Sequence, residues 1–189
     1  ITLSKSLRTI GKSAFAECKL LSEVVIPDGV QTIGDGAFLG CKGLRSVTMS
    51  DSVTLLGALC FDGCEALERV RLSDNITTIL NSTFYWCTSL RELNIPSKLE
   101  VVDCYAFCAC AALPDITLPD GLKSIGEYAF MSCYEFTEID IPEGVTLMGQ
   151  NCFGDCPKLE RVSLPESLQE LGTNAFFGCS LLREVNIPE

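Results

Sequence analysis

Phenylalanine stands at positions 15, 38, 61, 84, 107, 130, 153 and 176, and cysteine three residues after each, at 18, 41, 64, 87, 110, 133, 156 and 179. The interval is 23 residues, eight times over, with neither insertion nor deletion. A unit this short cannot bury its own apolar face and must stack on copies of itself, so a fixed period of this size specifies a solenoid. No Pro-, Ser- or Gly-rich linker interrupts the repetition. Residues 1–189 are therefore expected to form a single repeat domain of eight 23-residue repeats. Ile1-Thr2-Leu3 and Val185-Asn186-Ile187 fall at the same phase of the repeat, which suggests a portion of a longer array.

One unit runs Leu21-x-x-Val24-x-Ile26-Pro27-x-x-Val30-x-x-Ile33-Gly34-x-x-Ala37-Phe38-x-x-Cys41. Val24-x-Ile26 alternates with period two, as a strand buried on one face does. Its copies at Ile1/Leu3, Val47/Met49, Val70/Leu72, Leu93/Ile95, Ile116/Leu118, Ile139/Ile141, Val162/Leu164 and Val185/Ile187 predict nine strands in one parallel sheet. Pro27, with Pro96, Pro119, Pro142, Pro165 and Pro188 at the same place, lacks a ladder donor and ends the strand; Ser4, Ser50 and Ser73 stand there in other repeats. Gly34 recurs as Gly11, Gly57, Gly126, Gly149 and Gly172, a column that calls for positive φ or close backbone approach. Leu80 and Asp103 break that column in adjacent repeats, so the backbone is expected to differ there. Ala37-Phe38-x-x-Cys41-x-x-Leu44 has the spacing of a single helical or 3₁₀ turn with Phe, Cys and Leu inward.

The chain carries 14 Lys and Arg against 25 Asp and Glu, a net charge of -11, which excludes the electrostatic footprint of a nucleic-acid binder. Mean hydropathy is +0.29, yet no apolar run approaches a membrane span, so direct membrane insertion is not expected. The absence of His removes the commonest general base, the Ser–His and Cys–His nucleophile pairs and the usual zinc ligand. No phosphate-cradling Gly loop is present, and the chain is not expected to be an enzyme or to hold a cofactor or metal. Eight of the twelve Cys form the repeat column and are expected to be buried free thiols, ahead of repeat-to-repeat disulfides or a metal site. Cys104 and Cys108 lie outside that column, at places held elsewhere by Lys12, Asp35 and Glu127, and by Asp62 and Gly154. Both are expected to be exposed, as a local disulfide, a redox or metal-site handle, or chance surface substitutions.

The pattern Leu-x-x-Val-x-Ile-Pro-x-x-Val-x-x-Ile-Gly-x-x-Ala-Phe-x-x-Cys, over the whole chain, resembles the BspA-like leucine-rich repeat of bacterial surface antigens and protist proteins. Leu80, Asp103, Phe136 and the early Ser-for-Pro replacements depart from it locally. The resemblance implies a right-handed leucine-rich-repeat solenoid with a parallel β-sheet on the concave face, and short helical or 3₁₀ turns and short strands on the convex side. It further implies a non-enzymatic protein–protein interaction module, at the cell surface or secreted and adhesive, with no catalytic residue to carry over. The alternative is an intracellular scaffold or assembly subunit, favoured by the many free thiols.

All four Tyr and the single Trp fall within residues 85–134, at places the repeat does not use for its core. Superposing repeats sets Tyr105 beside Tyr128 and Tyr85 beside Cys108 and Met131, with Trp86 adjoining. Tyr85, Trp86, Tyr105, Tyr128, Met131 and Tyr134 are therefore the candidate convex-side protein-binding patch. The competing reading is that these side chains lie flat over the turns, which the presence of Leu39 and Phe177 in the same column outside the cluster supports. The outward strand positions offer a polar, mixed-charge concave face, in which Arg69, Arg71, Glu92, Asn94, Asp115, Thr117, Glu138 and Asp140 are candidate ligand-binding residues. An acidic column, Asp28, Asp51, Asp74, Asp120, Glu143, Glu166 and Glu189, is weighed between Ca²⁺ coordination and capping of turns beyond the strand. Strand edges at the two ends also suggest end-to-end self-association.

Overall fold

The computed structural model describes residues 1–186, so the expectations placed on Ile187, Pro188 and Glu189 lie outside the described residues. In chain order the strands are β1 (Thr9–Ile10), β2 (Glu23–Ile26), β3 (Thr32–Ile33), β4 (Ser46–Met49), β5 (Leu55–Leu56), β6 (Arg69–Arg71), β7 (Thr78–Ile79), β8 (Glu92–Leu93), β9 (Val101–Val102), β10 (Ser124–Ile125), β11 (Glu138–Asp140), β12 (Leu147–Met148), β13 (Arg161–Ser163), β14 (Glu170–Leu171) and β15 (Glu184–Asn186). Every pairing is parallel and offset by one period: Val24 faces Val47, and Val47 faces Val70. The concave sheet contains β2-β4-β6-β8 and, after a gap, β11-β13-β15. The second sheet, of two-residue strands, contains β1-β3-β5 and, after its own gap, β7-β9-β10-β12-β14.

Between the sheets runs the column that the sequence announces. Successive Phe rings from Phe15 to Phe176 stack at centroid distances of 5.1 to 5.9 Å. Beside them each thiol of the column from Cys41 to Cys179 reaches back to the Phe carbonyl of the preceding repeat: Cys64 Sγ donates to Phe38 O at 3.2 Å, and Cys110 Sγ to Phe84 O at 3.2 Å. All twelve cysteines are free. Phe136, which replaces Leu, is fully buried against Phe130 and Phe153, so the larger ring is absorbed by the stack.

The Phe-bearing segment buries Ala37, Phe38, Cys41 and Leu44 as its spacing predicts, but it forms no helix among the described residues. The reason is a left-handed residue at two fixed places in every repeat. One column is Ser13, Gly36, Leu59, Ser82, Tyr105, Tyr128, Asn151 and Asn174; the other is Glu17, Gly40, Gly63, Trp86, Ala109, Ser132, Asp155 and Gly178. Positive φ ends each incipient helical turn. Alternate amides are then free to bond the next repeat: Gly36, Phe38 and Gly40 donate to Ala58, Cys60 and Asp62 carbonyls at 2.8 to 2.9 Å.

The Gly34 column, by contrast, serves close approach. A Cβ on Gly57 would lie 2.4 Å from Asp35 N, and one on Gly149 would lie 2.5 Å from Glu127 N. Gly149→Ala is therefore expected to cost about 1–3 kcal/mol through main-chain overlap. An unchanged urea midpoint would show that the repeats separate freely there. At Leu80 the column carries a side chain, and the second sheet is broken at that repeat, between β5 and β7. Gly34, Gly57, Gly126, Gly149 and Gly172 each donate an amide to the preceding repeat, as does Asp103 to Ile79 O at 2.9 Å; Leu80 does not. The expected local difference is thus found at Leu80, while Asp103 keeps the regular bond.

The expected nine-stranded sheet is corrected in two places: Ile1–Leu3 is not a strand, and neither is Ile116–Leu118. Pro114 accounts for the second. Arg45, Glu68, Arg91, Glu160 and Arg183 occupy its column and donate their amides to the preceding repeat, a bond that proline cannot make. On the far side the Asp115 carboxylate accepts the Thr137 amide at 2.7 Å and the Thr137 hydroxyl at 2.5 Å, where a regular ladder would use main-chain carbonyls. Asn94 likewise substitutes its side-chain amide, bonding the Leu72 N–H at 2.7 Å and the Leu72 carbonyl at 3.2 Å.

Candidate functional site

Four of the six predicted patch residues form one continuous aromatic surface. The rings of Tyr105 and Tyr128 stack at 4.8 Å, and Tyr85 meets Tyr105 edge-on at 6.2 Å and Trp86 at 6.2 Å. Trp86 is 50% exposed and Tyr105 36%. Tyr85, Tyr128 and Met131 are half-buried; Tyr134 is exposed, and no ring contact joins it to the other four. Burial, followed by the neighbouring Tyr128, pushes the Tyr105 hydroxyl above its ordinary value.

Trp86, Tyr105 and Tyr128 all stand in the two left-handed columns. A residue with a Cβ pays about 1–2 kcal/mol for this conformation, least for Asn and Asp. Leu59, 39% exposed at φ 57°, is a further bulky residue in the Tyr105 column, and reasoning from the sequence missed it. Its signal was available: Gly, Ser and Asn dominate that column and mark it as left-handed.

Cys108 is buried, only 7% exposed, which corrects the expectation of an exposed pair. It lies in the column of Tyr85 and Met131, whose longer side chains flank it. Burial raises the Cys108 thiol to about 11 and raises Cys104 as well, so neither has the lowered pKa of a reactive cysteine. The acidic column caps the next repeat: Asp51 accepts the Asp74 amide at 3.2 Å, Asp74 the Ser97 amide at 2.6 Å, and Glu143 the Glu166 amide at 3.2 Å. Hydrogen bonds, from Arg71 to Asp51 and from Ser97 to Asp74, hold both carboxyls below the usual range.

On the concave face the arginines are engaged: Arg71 with Asp51 at 3.1 Å, Arg69 with Glu68 at 3.4 Å, and Arg161 with Glu138. Asn94 and Asp115 bond main-chain groups, whereas Glu92, Thr117 and Asp140 are exposed and form neither ion pair nor side-chain hydrogen bond among the described residues. The sheet beneath the predicted concave residues is interrupted at Pro114, and clefts at the gap set Glu92 beside Asp115 and Thr117, and these beside Glu138 and Asp140.

A family model described as "BspA type Leucine rich repeat region" matches residues 1–112 and 77–189, in six copies. The chain belongs to the BspA-type leucine-rich repeat family. Among solved structures, this BspA-type chain is similar to the leucine-rich repeat protein of T. pallidum at 32% identity and a TM-score of 0.84, over 93% of this chain and 82% of that one. A leucine-rich repeat protein from Eubacterium ventriosum is 28% identical with a TM-score of 0.73, over 79% of this chain and 41% of that one. The pneumococcal vaccine antigen PcpA shares the fold alone, at 18% identity and a TM-score of 0.53, over 95% of this chain and 59% of PcpA. No curated protein sequence matches the chain.

Proposed function

We propose that this chain is a non-enzymatic protein-binding module whose partner docks on Tyr85, Trp86, Tyr105 and Tyr128, with Met131 and Tyr134 at the margin. The observation that carries the reading is the placement of Trp86, Tyr105 and Tyr128 at left-handed positions. Gly, Ser or Asn would serve the fold better there, and each aromatic contact returns only about 0.5–1.5 kcal/mol while adding apolar surface to water. Exposed Tyr and Trp of this kind are what interfaces enrich. Membership of the BspA-type family supports a place at the cell surface or outside the cell, in adhesion. A second reading, an intracellular assembly subunit using the same surface, is favoured by twelve free cysteines.

The test combines Tyr85→Ser, Trp86→Gly, Tyr105→Asn and Tyr128→Asn. The variant is expected to melt no lower than the parent chain and to lose a partner that the parent captures from its native source. Capture of the same partner by both would overturn the reading. Labelling intact cells with a membrane-impermeant amine reagent separates the two locations, since only a surface protein is modified.

A further inference from the structure

The gap in the concave sheet leaves main-chain groups unused. The amides and carbonyls of Asp115, Ile116, Thr117 and Leu118 make no main-chain hydrogen bond to the repeat on either side, although the segment lies between β8 and β11. A cleft opens on each flank, one of about 430 Å³ between Arg91–Ile95 and Leu113–Thr117, the other of about 340 Å³ toward Glu138–Pro142. Leu93, Ile95 and Ile116 are half-buried at their floors, whereas the counterparts Val70, Leu72, Val162 and Leu164 are 0–4% exposed. Carboxylates outnumber cations at the rims: Glu92, Asp120 and Asp140 form no ion pair among the described residues, and Arg91 is the single cation lining the first cleft, with none lining the second.

The clefts cannot widen to admit a strand, because Phe107 holds Phe84 and Phe130 at 5.2 Å on either side. A side chain can enter. Unpaired carbonyls, an apolar floor and an acidic rim suit an aliphatic stem with a multi-donor cationic head, and arginine, with five fixed donors, satisfies more of these acceptors than lysine. Adjacent repeats lie about 5 Å apart and alternate side chains of an extended chain about 7 Å. We propose that the interrupted concave sheet docks an extended basic segment of a protein partner, with alternate arginine side chains entering the two clefts beside Asp115–Leu118. This site uses different columns from the aromatic surface and stands or falls independently of it.

The probe is a blocked peptide, Ser-Arg-Ser-Arg-Ser, titrated calorimetrically into the whole chain, with its Arg→Gln analogue as control. Saturable binding of the arginine peptide alone is expected. Pro114→Thr, which restores the amide and leaves every carboxylate in place, is expected to weaken it about tenfold or more. Hydrogen exchange at Ile116–Leu118, fast in the parent chain and slowed in Pro114→Thr, reports closure of the sheet. The double variant Glu92→Gln/Asp140→Asn tests the rims without touching the fold and is expected to weaken binding as well. Absence of saturable binding up to about 1 mM, slow exchange in the parent chain, undiminished binding after the sheet has closed, or undiminished binding by the double variant would each overturn the proposal.

Discussion

Raising the pH from about 8 to about 10 is expected to unfold the protein. Thiols of an unfolded chain titrate near 8.5. Burial pushes Cys60, Cys64, Cys87, Cys110, Cys133 and Cys152 upward, the last to about 12. Cys41 is likewise raised to about 11. Below about pH 8.5 both states hold these protons and their contribution to stability is fully present. Above it the unfolded chain releases protons that the folded chain keeps, so stability falls with rising pH at about 1.4 kcal/mol per unit for each thiol. Six such thiols remove on the order of 8 kcal/mol per pH unit, as much as a typical domain possesses. Urea midpoints at about pH 7, 8.5 and 9.5 give the number of protons released, and a slope equivalent to fewer than about two would refute a protonated thiol column. Alkylation at about pH 8 adds a check by position. Cys18, which is exposed, and Cys104 should be modified before denaturation and the other ten only after it.

What the sequence disclosed was whatever one repeat states eight times. Phe and Cys recur without drift, and the structure stacks them as their spacing requires, whereas the strand pair forms a strand at seven of its nine places. The left-handed columns were present in the same alignment of repeats, but Tyr105, Tyr128, Trp86 and Leu59 masked a preference that Gly36, Ser82 and Asn151 reveal. Single-residue exceptions were harder, because each acts on the neighbouring repeat. The second sheet parts at Leu80, whose amide makes no bond to the preceding repeat although that of Asp103, in the same column, does. Pro114 parts the concave sheet through an amide that Arg91 has. The burial of Cys108 is hidden from the sequence for the same reason: it depends on what adjacent repeats place at either side. A period predicts the average repeat, and function resides where repeats differ.

The gap in the concave sheet makes Phe107 the residue on which the middle of the solenoid depends. Its ring is fully buried and stacks at 5.2 Å on both neighbours, so Phe107→Ala is expected to cost about 3–5 kcal/mol. Phe15→Ala should cost less, because that ring is only partly buried and has one stacking neighbour. The location carries a further consequence. Between β8 and β11 the concave sheet is interrupted, leaving the first four repeats joined to the rest by the Phe stack, the pairing of β7 with β9, and turn amides such as Phe84 N–H to Ala106 O at 2.8 Å. In a solenoid, stability is a sum of repeats and nearest-neighbour interfaces, and weakening the weakest interface uncouples the two sides. Calorimetry of Phe107→Ala should therefore resolve two transitions where the parent shows one, and Phe107→Asp, which buries an unpaired charge, should leave the middle unfolded at room temperature. A single transition at the parent temperature in Phe107→Ala would mean that the repeats on either side of the gap are held together by something other than the ring stack.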